Sequence, residues 1–318
     1  MLARAPLDIQ SVSERFTSNV GRVIVGRSEV VELIFIALLC EGHVLIEDVP
    51  GLGKTLLART TARSLDGSFK RIQCTPDLLP SDVVGLHFFN QKLSDFEFRP
   101  GPVLANVVLV DEINRAMPRT QSCLLECMQE RQVTVDWKTV PLPRPFILMA
   151  TQNPIELEGT FPLPEAQLDR FLLKLRLGYP SVSDEAEVLS RHQQENPLDR
   201  LENVIAMDEL LALQTQARHT LVVDPVRSYI LAVTRATREH PDIRLGGSTR
   251  SALGLQAASQ ALAACRGRDF VTPDDVKALA VPVLSHRIIL KTEARLKGRT
   301  EEELLQEVLD SVPVPAEA

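Results

Sequence analysis

The sequence has no CxxC pair, and its five cysteines, Cys40, Cys74, Cys123, Cys127 and Cys265, are an odd number. Both facts exclude a disulfide framework as the organising principle of the fold. No apolar run approaches the roughly 18 residues that a membrane-spanning helix requires. The stretch Val30–Cys40 is too short and is broken by Glu32. Met1–Asp8 has no apolar segment of the secretory type, so the expected location is the cytoplasm and no membrane is expected as a partner. Positive charge is also scarce. Lys and Arg total 35 against 42 Asp and Glu, a net −7 with a pI near 5.5, and this balance does not favour nucleic acid as a partner. There is no internal repeat and no low-complexity tract. What remains is an ordinary soluble composition, 44% hydrophobic and 24% charged, in a chain of 318 residues long enough for one large or two modest domains.

The first half alternates strand-like and helix-like segments. Val44–Ile46 is a short apolar strand, and Gly51–Ser64 reads as a turn followed by a helix. Phe69–Cys74, Val107–Val110, Phe146–Thr151 and Phe171–Leu177 are further strands, with a helix over Ala116–Arg131. Strands separated by helices imply a parallel sheet covered on both faces. Cys123 and Cys127 lie four apart on that helix and are read as small buried hydrophobes rather than metal ligands. Two segments interrupt the rhythm as candidate hairpins. Leu86–Phe98 carries Phe88, Phe89, Phe96 and Phe98 around a polar run, and Val133–Leu142 surrounds Asp136-Trp137-Lys138. Either could be a packing element or a loop that grips a substrate.

After Pro180 the pattern becomes helical. Asp224-Pro225 can cap and start a helix ending before Pro241, and Ser248 can cap one running to Arg266 with Gly267 as its stop. Thr272-Pro-Asp-Asp275 opens another helix, Thr300–Glu303 is a capping box, and Val312–Ala318 reads as a loose tail. The fold class expected is α/β, a P-loop core with a parallel sheet between helices followed by a small all-helical lid. The expected divisions are a linker helix at 1–20, the nucleotide-binding core at 21–180 and the lid at 181–318.

The strongest chemical signal is Glu47-Asp-Val-Pro-Gly-Leu-Gly-Lys-Thr55. Gly53, Lys54 and Thr55 match the phosphate-loop pattern, while Asp48 stands where the first glycine is usual. Glycines let backbone N–H groups turn around a phosphate, the Lys54 ammonium reaches the outer phosphates, and the Thr55 hydroxyl can ligate Mg2+. The following helix aims its positive end at the same anion. The required strand–loop–helix context is present. A second element, Val107–Asn114, delivers Asp111 and Glu112 to the C-terminal edge of a buried strand. Asp111 can hold Mg2+ through water, and Glu112 can polarise the attacking water as general base. No Asn/Thr-Lys-x-Asp stretch follows a strand, which disfavours a guanine-specific switch.

Taken together, several stretches resemble the MoxR-type AAA+ ATPases: the phosphate loop, Val110–Ala116, QSCLLECMQERQ at 121–132, Ala150–Pro154 and Leu163–Phe171. The resemblance spans roughly residues 20 to 290, and Asp48 in place of glycine is usual within it. It implies ATP and Mg2+ as ligands, with Val25 and Gly26 against the adenine. Pro50, Gly51, Leu52, Gly53, Lys54, Thr55 and Leu56 would surround the phosphates. Asn153 would be the sensor beside the γ-phosphate, Arg170 an arginine finger reaching a neighbouring subunit, and Arg250 a second sensor on the lid. The alternatives, read from the residues alone, are a turn at Asn153-Pro154 and an ion pair of Arg170 with Asp169 or another acid. The chain departs from the usual pattern at Arg27, where glutamine is common, and at Thr249, where proline is common. The resemblance further implies a homo-hexameric ring, a chaperone-like role, a partner carrying a von Willebrand factor type A domain, and the two hairpins as inserts of this clade. A DNA-acting motor and a nucleotide-gated scaffold that does not hydrolyse ATP are the rival readings.

Overall fold

The computed structural model describes residues 8–136, 138–154, 159–191 and 197–315. Trp137, residues 1–7 of the expected linker and residues 316–318 of the expected tail lie outside that set. The chain opens with α1 (Ile9–Gly21), capped by Asp8, whose side chain accepts from Ser11 N. Ile9, Val12, Phe16 and Val20 recur at helical spacing and are buried, with Phe16 stacked on Phe35 at 5.1 Å. Phe35 belongs to α2 (Ser28–Leu39), which is apolar almost all round and passes through the interior of the molecule.

The sheet then begins. β1 (Val44–Glu47) leads through the phosphate loop into α3 (Lys54–Ser64), and β2 (Phe69–Gln73) follows. The short α4 (Pro80–Val84) introduces a hairpin of β3 (Gly85–Asn90) and β4 (Asp95–Pro100). β5 (Val107–Asp111) returns to the sheet, and α5 (Pro118–Glu130) ends at Arg131 in the left-handed region, φ 53°. A second hairpin of β6 (Gln132–Val135) and β7 (Lys138–Pro141) precedes β8 (Ile147–Gln152). The one-turn α6 (Glu165–Leu168) then leads into β9 (Leu173–Leu175).

Five strands form one parallel sheet in the order β2-β5-β8-β1-β9. The central strands are continuous apolar runs because both faces are covered, and Val107–Val110 and Ile147–Ala150 are buried throughout. Each apolar face closes its own cluster. One joins the sheet to α1, α2 and the C-terminal helices, and the other joins it to α5 and the second hairpin. His43, buried just before β1, helps tie the sheet to α5. Its Nδ1 accepts from Leu148 N at 3.0 Å, so Nε2 carries the proton that it donates to Met128 O at 3.1 Å. Burial pushes its pKa down to about 4.

The remainder is helical: α7 (Val182–Arg191), α8 (Met207–Ala217) and α9 (Asp224–Glu239), then α10 (Thr249–Cys265) and α11 (Pro273–Leu284) after β10 (Ile243–Leu245). β11 (Ile289–Leu290), α12 (Thr292–Leu296) and α13 (Glu301–Ser311) complete the chain. Thr300 Oγ1 accepts from Glu303 N while Thr300 N donates to the Glu303 carboxylate, the reciprocal pair that stabilises a helix start by about 1 kcal/mol. Two details differ from expectation. Asp224 is the first helical residue rather than the cap, which is Val223. The helical part also carries a two-stranded antiparallel ribbon, β10–β11, whose strands of three and two residues are too short to register as a periodic pattern. No helix among the described residues is long and apolar enough to cross a membrane.

Candidate active site

The C-terminal edge of the parallel sheet opens into a cavity of about 410 Å3. Pro50, Gly51, Gly53, Lys54, Thr55 and Leu56 line it from the loop and α3. Arg71 and Gln73 face it from β2, Asp111 and Glu112 from the end of β5, and Asn153 from just past β8. Loop ends at this edge are where open α/β sheets take ligands. Gly51 and Gly53 have φ of 88° and 83°, a backbone that side chains rarely tolerate and that turns successive N–H groups the same way. Gly53 caps α3, so the cavity receives the unpaired amides and positive end of an 11-residue helix. Leu52 is half-buried and packs on the main core instead of lining the cavity.

Asp48 has a structural task that explains why it replaces glycine. Its Oδ2 accepts from the backbone N–H of Leu177 and Gly178, each at 2.7 Å, and its Oδ1 accepts from Val49 N at 2.9 Å. The loop is thus anchored to the segment after β9. On the same Gly178, Arg27 donates to the carbonyl oxygen at 2.7 Å. Val25 and Gly26 lie immediately upstream, beside α7. A side chain at Gly26 would collide with the Asp184 carboxylate, and Arg191 donates to the carbonyls of Gly21 and Arg22. Leu56 and Ile24 pack against one small cluster of Val23, Leu198 and Leu201. The 23–26 segment therefore reaches the start of α3 even though Val25 and Gly26 do not line the cavity itself.

Lys54 is folded back on its own loop, donating from Nζ to Asp48 O at 2.7 Å and Val49 O at 3.1 Å. Partial burial lowers its pKa, and the carboxylates of Asp111, Asp48 and Glu112 pull in the opposite direction. Asp111 Oδ1 accepts from Thr151 Oγ1 at 2.6 Å, and Oδ2 accepts from Arg71 at 2.6 and 3.2 Å. Glu112 sits in the left-handed region at φ 56°, a conformation uncommon for a side chain other than glycine and often held at functional sites. Its backbone N–H donates to Thr151 Oγ1, and its Oε2 accepts from Gln73 Nε2 at 3.0 Å. The Thr55 hydroxyl and the Asp111 carboxylate on one wall of the cavity are hard oxygen donors of the kind that suits Mg2+ when phosphates complete the shell. Thr151, Arg71 and Gln73 went unremarked in the sequence. The available signal was the polar pair Arg71 and Gln73 at period two on β2, which points both to the same face.

The two expected arginines lie elsewhere. Arg170 donates to Leu125 O at 2.9 Å and lines a separate depression with residues of α5, while its Nε is buried without a partner among the described residues. Asp169, the suggested alternative partner of Arg170, is engaged by Arg250 at 3.6 Å and Arg287 at 3.5 Å, both from the helical part. Neither Arg170 nor Arg250 lines the cavity at the phosphate loop of its own chain. The two hairpins also meet, through His87 Nδ1 and Asp136 Oδ2 at 2.9 Å. Phe89 and Phe96, paired edge to face, remain more than half exposed at 52% and 59%. Cys123 and Cys127 are free thiols on α5.

Comparison with known proteins adds a second line of observation. A profile for the "ATPase family associated with various cellular activities (AAA)" matches residues 43–173, and one for the "AAA lid domain" matches residues 235–308. The uncharacterized protein YeaC of Bacillus subtilis is 48% identical, covering 98% of this chain and 97% of that protein. "Chaperone MoxR1" of Mycobacterium tuberculosis is 43% identical over 95% of this chain and 82% of its own length. A crystal structure of a candidate ATPase from Cytophaga hutchinsonii superposes with a TM-score of 0.90 at 39% identity, covering 96% of both chains.

Proposed function

The chain belongs to the MoxR-type AAA+ ATPases, and from that premise we propose that it hydrolyses ATP to ADP and phosphate and uses the cycle to remodel a protein partner. The observation that carries this reading is the convergence of Gly53, Lys54, Thr55, Asp111, Glu112 and Asn153 on one cavity at the sheet edge. The triphosphate lies against the amides at the start of α3. Lys54 leaves two neutral carbonyls for the anionic outer phosphates, a stronger, charge-assisted set of hydrogen bonds. The Asn153 amide, able to donate and accept at once, orients a water in line with the γ-phosphorus. Glu112 takes the proton of that water as its oxygen bonds to phosphorus, and the bond to the bridging oxygen breaks to release ADP. Mg2+ would be held by Thr55 and Asp111 and would neutralise charge on the phosphate oxygens.

Arg170 and Arg250 are offered to a neighbouring copy, because neither lines the cavity of its own chain. A guanidinium inserted from outside spreads the transition-state charge, and its supply in trans makes turnover depend on a ring, for which six subunits are proposed. Val25 and Gly26 form the adenine side, positioned through the contacts of Ile24 with Leu56. The exposed phenylalanines of the β3–β4 hairpin suit an apolar stretch of the protein partner. That partner is assigned a von Willebrand factor type A domain on the family resemblance, and the cytoplasm is the compartment proposed.

ATP hydrolysis measured against protein concentration, with mass followed by light scattering, tests the reading. Specific activity should climb as an assembly of about six subunits forms. Activity that is constant per subunit from monomer to assembly would remove the trans arginines from the mechanism.

A further inference from the structure

Arg71 and Gln73 are not among the motif residues of the ATPase reading, yet both point into its cavity. They stand two apart on β2, and the parallel register sets Gln73 beside Asp111 and Arg71 beside Leu109. The Arg71 guanidinium makes two kinds of contact. It reaches Asp111 Oδ2 through Nε at 3.2 Å and through one terminal nitrogen at 2.6 Å. The same terminal nitrogen donates to Gln73 Oε1 at 2.5 Å. Engaging Oε1 leaves the Gln73 amino group to face the other way, and it donates to Glu112 Oε2 at 3.0 Å. One unbroken line of hydrogen bonds therefore runs Asp111–Arg71–Gln73–Glu112.

From this line we propose that Arg71 is a positioning residue that couples the cation site at Asp111 to the restraint on Glu112. The proposal rests on the ATPase reading. Oδ1 accepts from Thr151, and Arg71 places a full positive charge 2.6 Å from Oδ2, so a cation approaching that oxygen is repelled by the guanidinium and favours its release. Once displaced, Arg71 no longer fixes the Gln73 amide, so the hydrogen bond on Glu112 Oε2 loses its orienting partner, while the Arg115 guanidinium stays 3.5 Å from the same oxygen. Asp111 is the more buried member of the pair, its side chain 13% exposed against 46% for Arg71, so the arginine is the side free to swing away. The resident guanidinium neutralises the carboxylate when the cation is absent and keeps the general base tied down until it arrives. Lysine could supply the charge, but only the planar fork of arginine contacts Asp111 and Gln73 together.

The test uses the whole protein and two probes. Mn2+ is titrated into ADP-loaded protein, with free Mn2+ followed by electron paramagnetic resonance. A non-hydrolysable ATP analogue is titrated in EDTA by calorimetry. Arg71→Ala removes the competitor for Asp111, so Mn2+ should bind roughly tenfold tighter, while analogue affinity without metal stays within about twofold. Arg71→Lys keeps a charge opposite Asp111 and should leave Mn2+ affinity close to wild type. Unchanged or weaker Mn2+ binding in Arg71→Ala overturns the proposal. So does a loss of analogue affinity in EDTA, which would make Arg71 a direct phosphate ligand. If Arg71→Ala does not fold, Arg71→Gln, which lacks the charge but keeps a polar side chain, is measured against the same criteria. A wild-type protein that fails to bind the analogue at all would sink the ATPase reading itself, whereas normal binding with no effect at Arg71 sinks only this inference.

Discussion

The Asp48 carboxylate accepts hydrogen bonds from the backbone of Leu177 and Gly178, each at 2.7 Å, across 129 and 130 residues of sequence. This is the contact that fixes the phosphate loop relative to the strand that closes the sheet, and glycine cannot make it. Asp48→Gly, which restores the commoner form of the motif, should therefore harm the protein. Hydrogen bonds to a charged acceptor contribute about 1.5–3 kcal/mol each at most, so a drop of a few kcal/mol in unfolding free energy is expected together with weaker nucleotide binding. Chemical denaturation and calorimetry with an ATP analogue check both. Unaltered stability in Asp48→Gly would show that the anchor is idle.

Lys54 and Glu112 should separate binding from chemistry. Lys54→Ala removes the main side-chain charge on the outer phosphates and is expected to abolish ATP binding by calorimetry. Glu112→Gln should bind ATP with near wild-type affinity and turn over slower by a factor of about 10² or more, the usual contribution of a positioned general base. Turnover within a few-fold of wild type would mean that another group takes the proton.

Arg170→Ala should fold, bind ATP and lose turnover that depends on assembly. The side chain rests on the Leu125 carbonyl and, among the described residues, not on a carboxylate, so its removal leaves no described buried charge unpaired. The expected loss is about 10³-fold or more for a finger supplied in trans. Mixing Arg170→Ala with Lys54→Ala subunits is the sharper measurement. Each lacks what the other retains, so activity should reappear in mixed rings, and a mixture as inactive as its parts would contradict a shared site.

Acid sensitivity should come from the buried histidines. His43 has its pKa lowered to about 4 and His286 to about 3, burial being the largest cause in each, against 6.5 for a free side chain. The unfolded chain therefore binds more protons than the native one once the pH falls below 6.5, and stability declines through that window down to the folded values. Thermal midpoints recorded from neutral pH to pH 4.5 should fall steadily. His43→Gln, with an amide that can still reach Met128 O, should flatten the fall, and an equal slope in that variant would place the effect elsewhere.

Much of the fold was legible because its signals are local. Val107–Val110 and Ile147–Ala150 are apolar runs that only a strand covered on both faces can use, and Ser248, Thr272 and Thr300 cap the helices they announce. The β10–β11 ribbon was not legible, since strands of three and two residues carry no period, and β10 is held in place by packing against α9. The Asp169 pairing was also out of reach. Adjacency in sequence suggested Arg170, but the chain turn at 169–170 sends Arg170 toward α5 and leaves Asp169 to Arg250 and Arg287, which arrive from α10 and the segment after α11.

The sequence by itself determined the local shape of the proposed phosphate loop. A glycine-rich turn, its lysine and threonine and the helix they start are contiguous, and backbone geometry over nine residues is enough to shape an anion cradle. The tertiary structure alone decided which groups restrain that chemistry. Asp48 meets Gly178, Arg71 meets Asp111, and Gln73 meets Glu112 only after the strands are laid side by side in register, because hydrogen bonds reach about 3 Å and the sequence separations are 130, 40 and 39 residues.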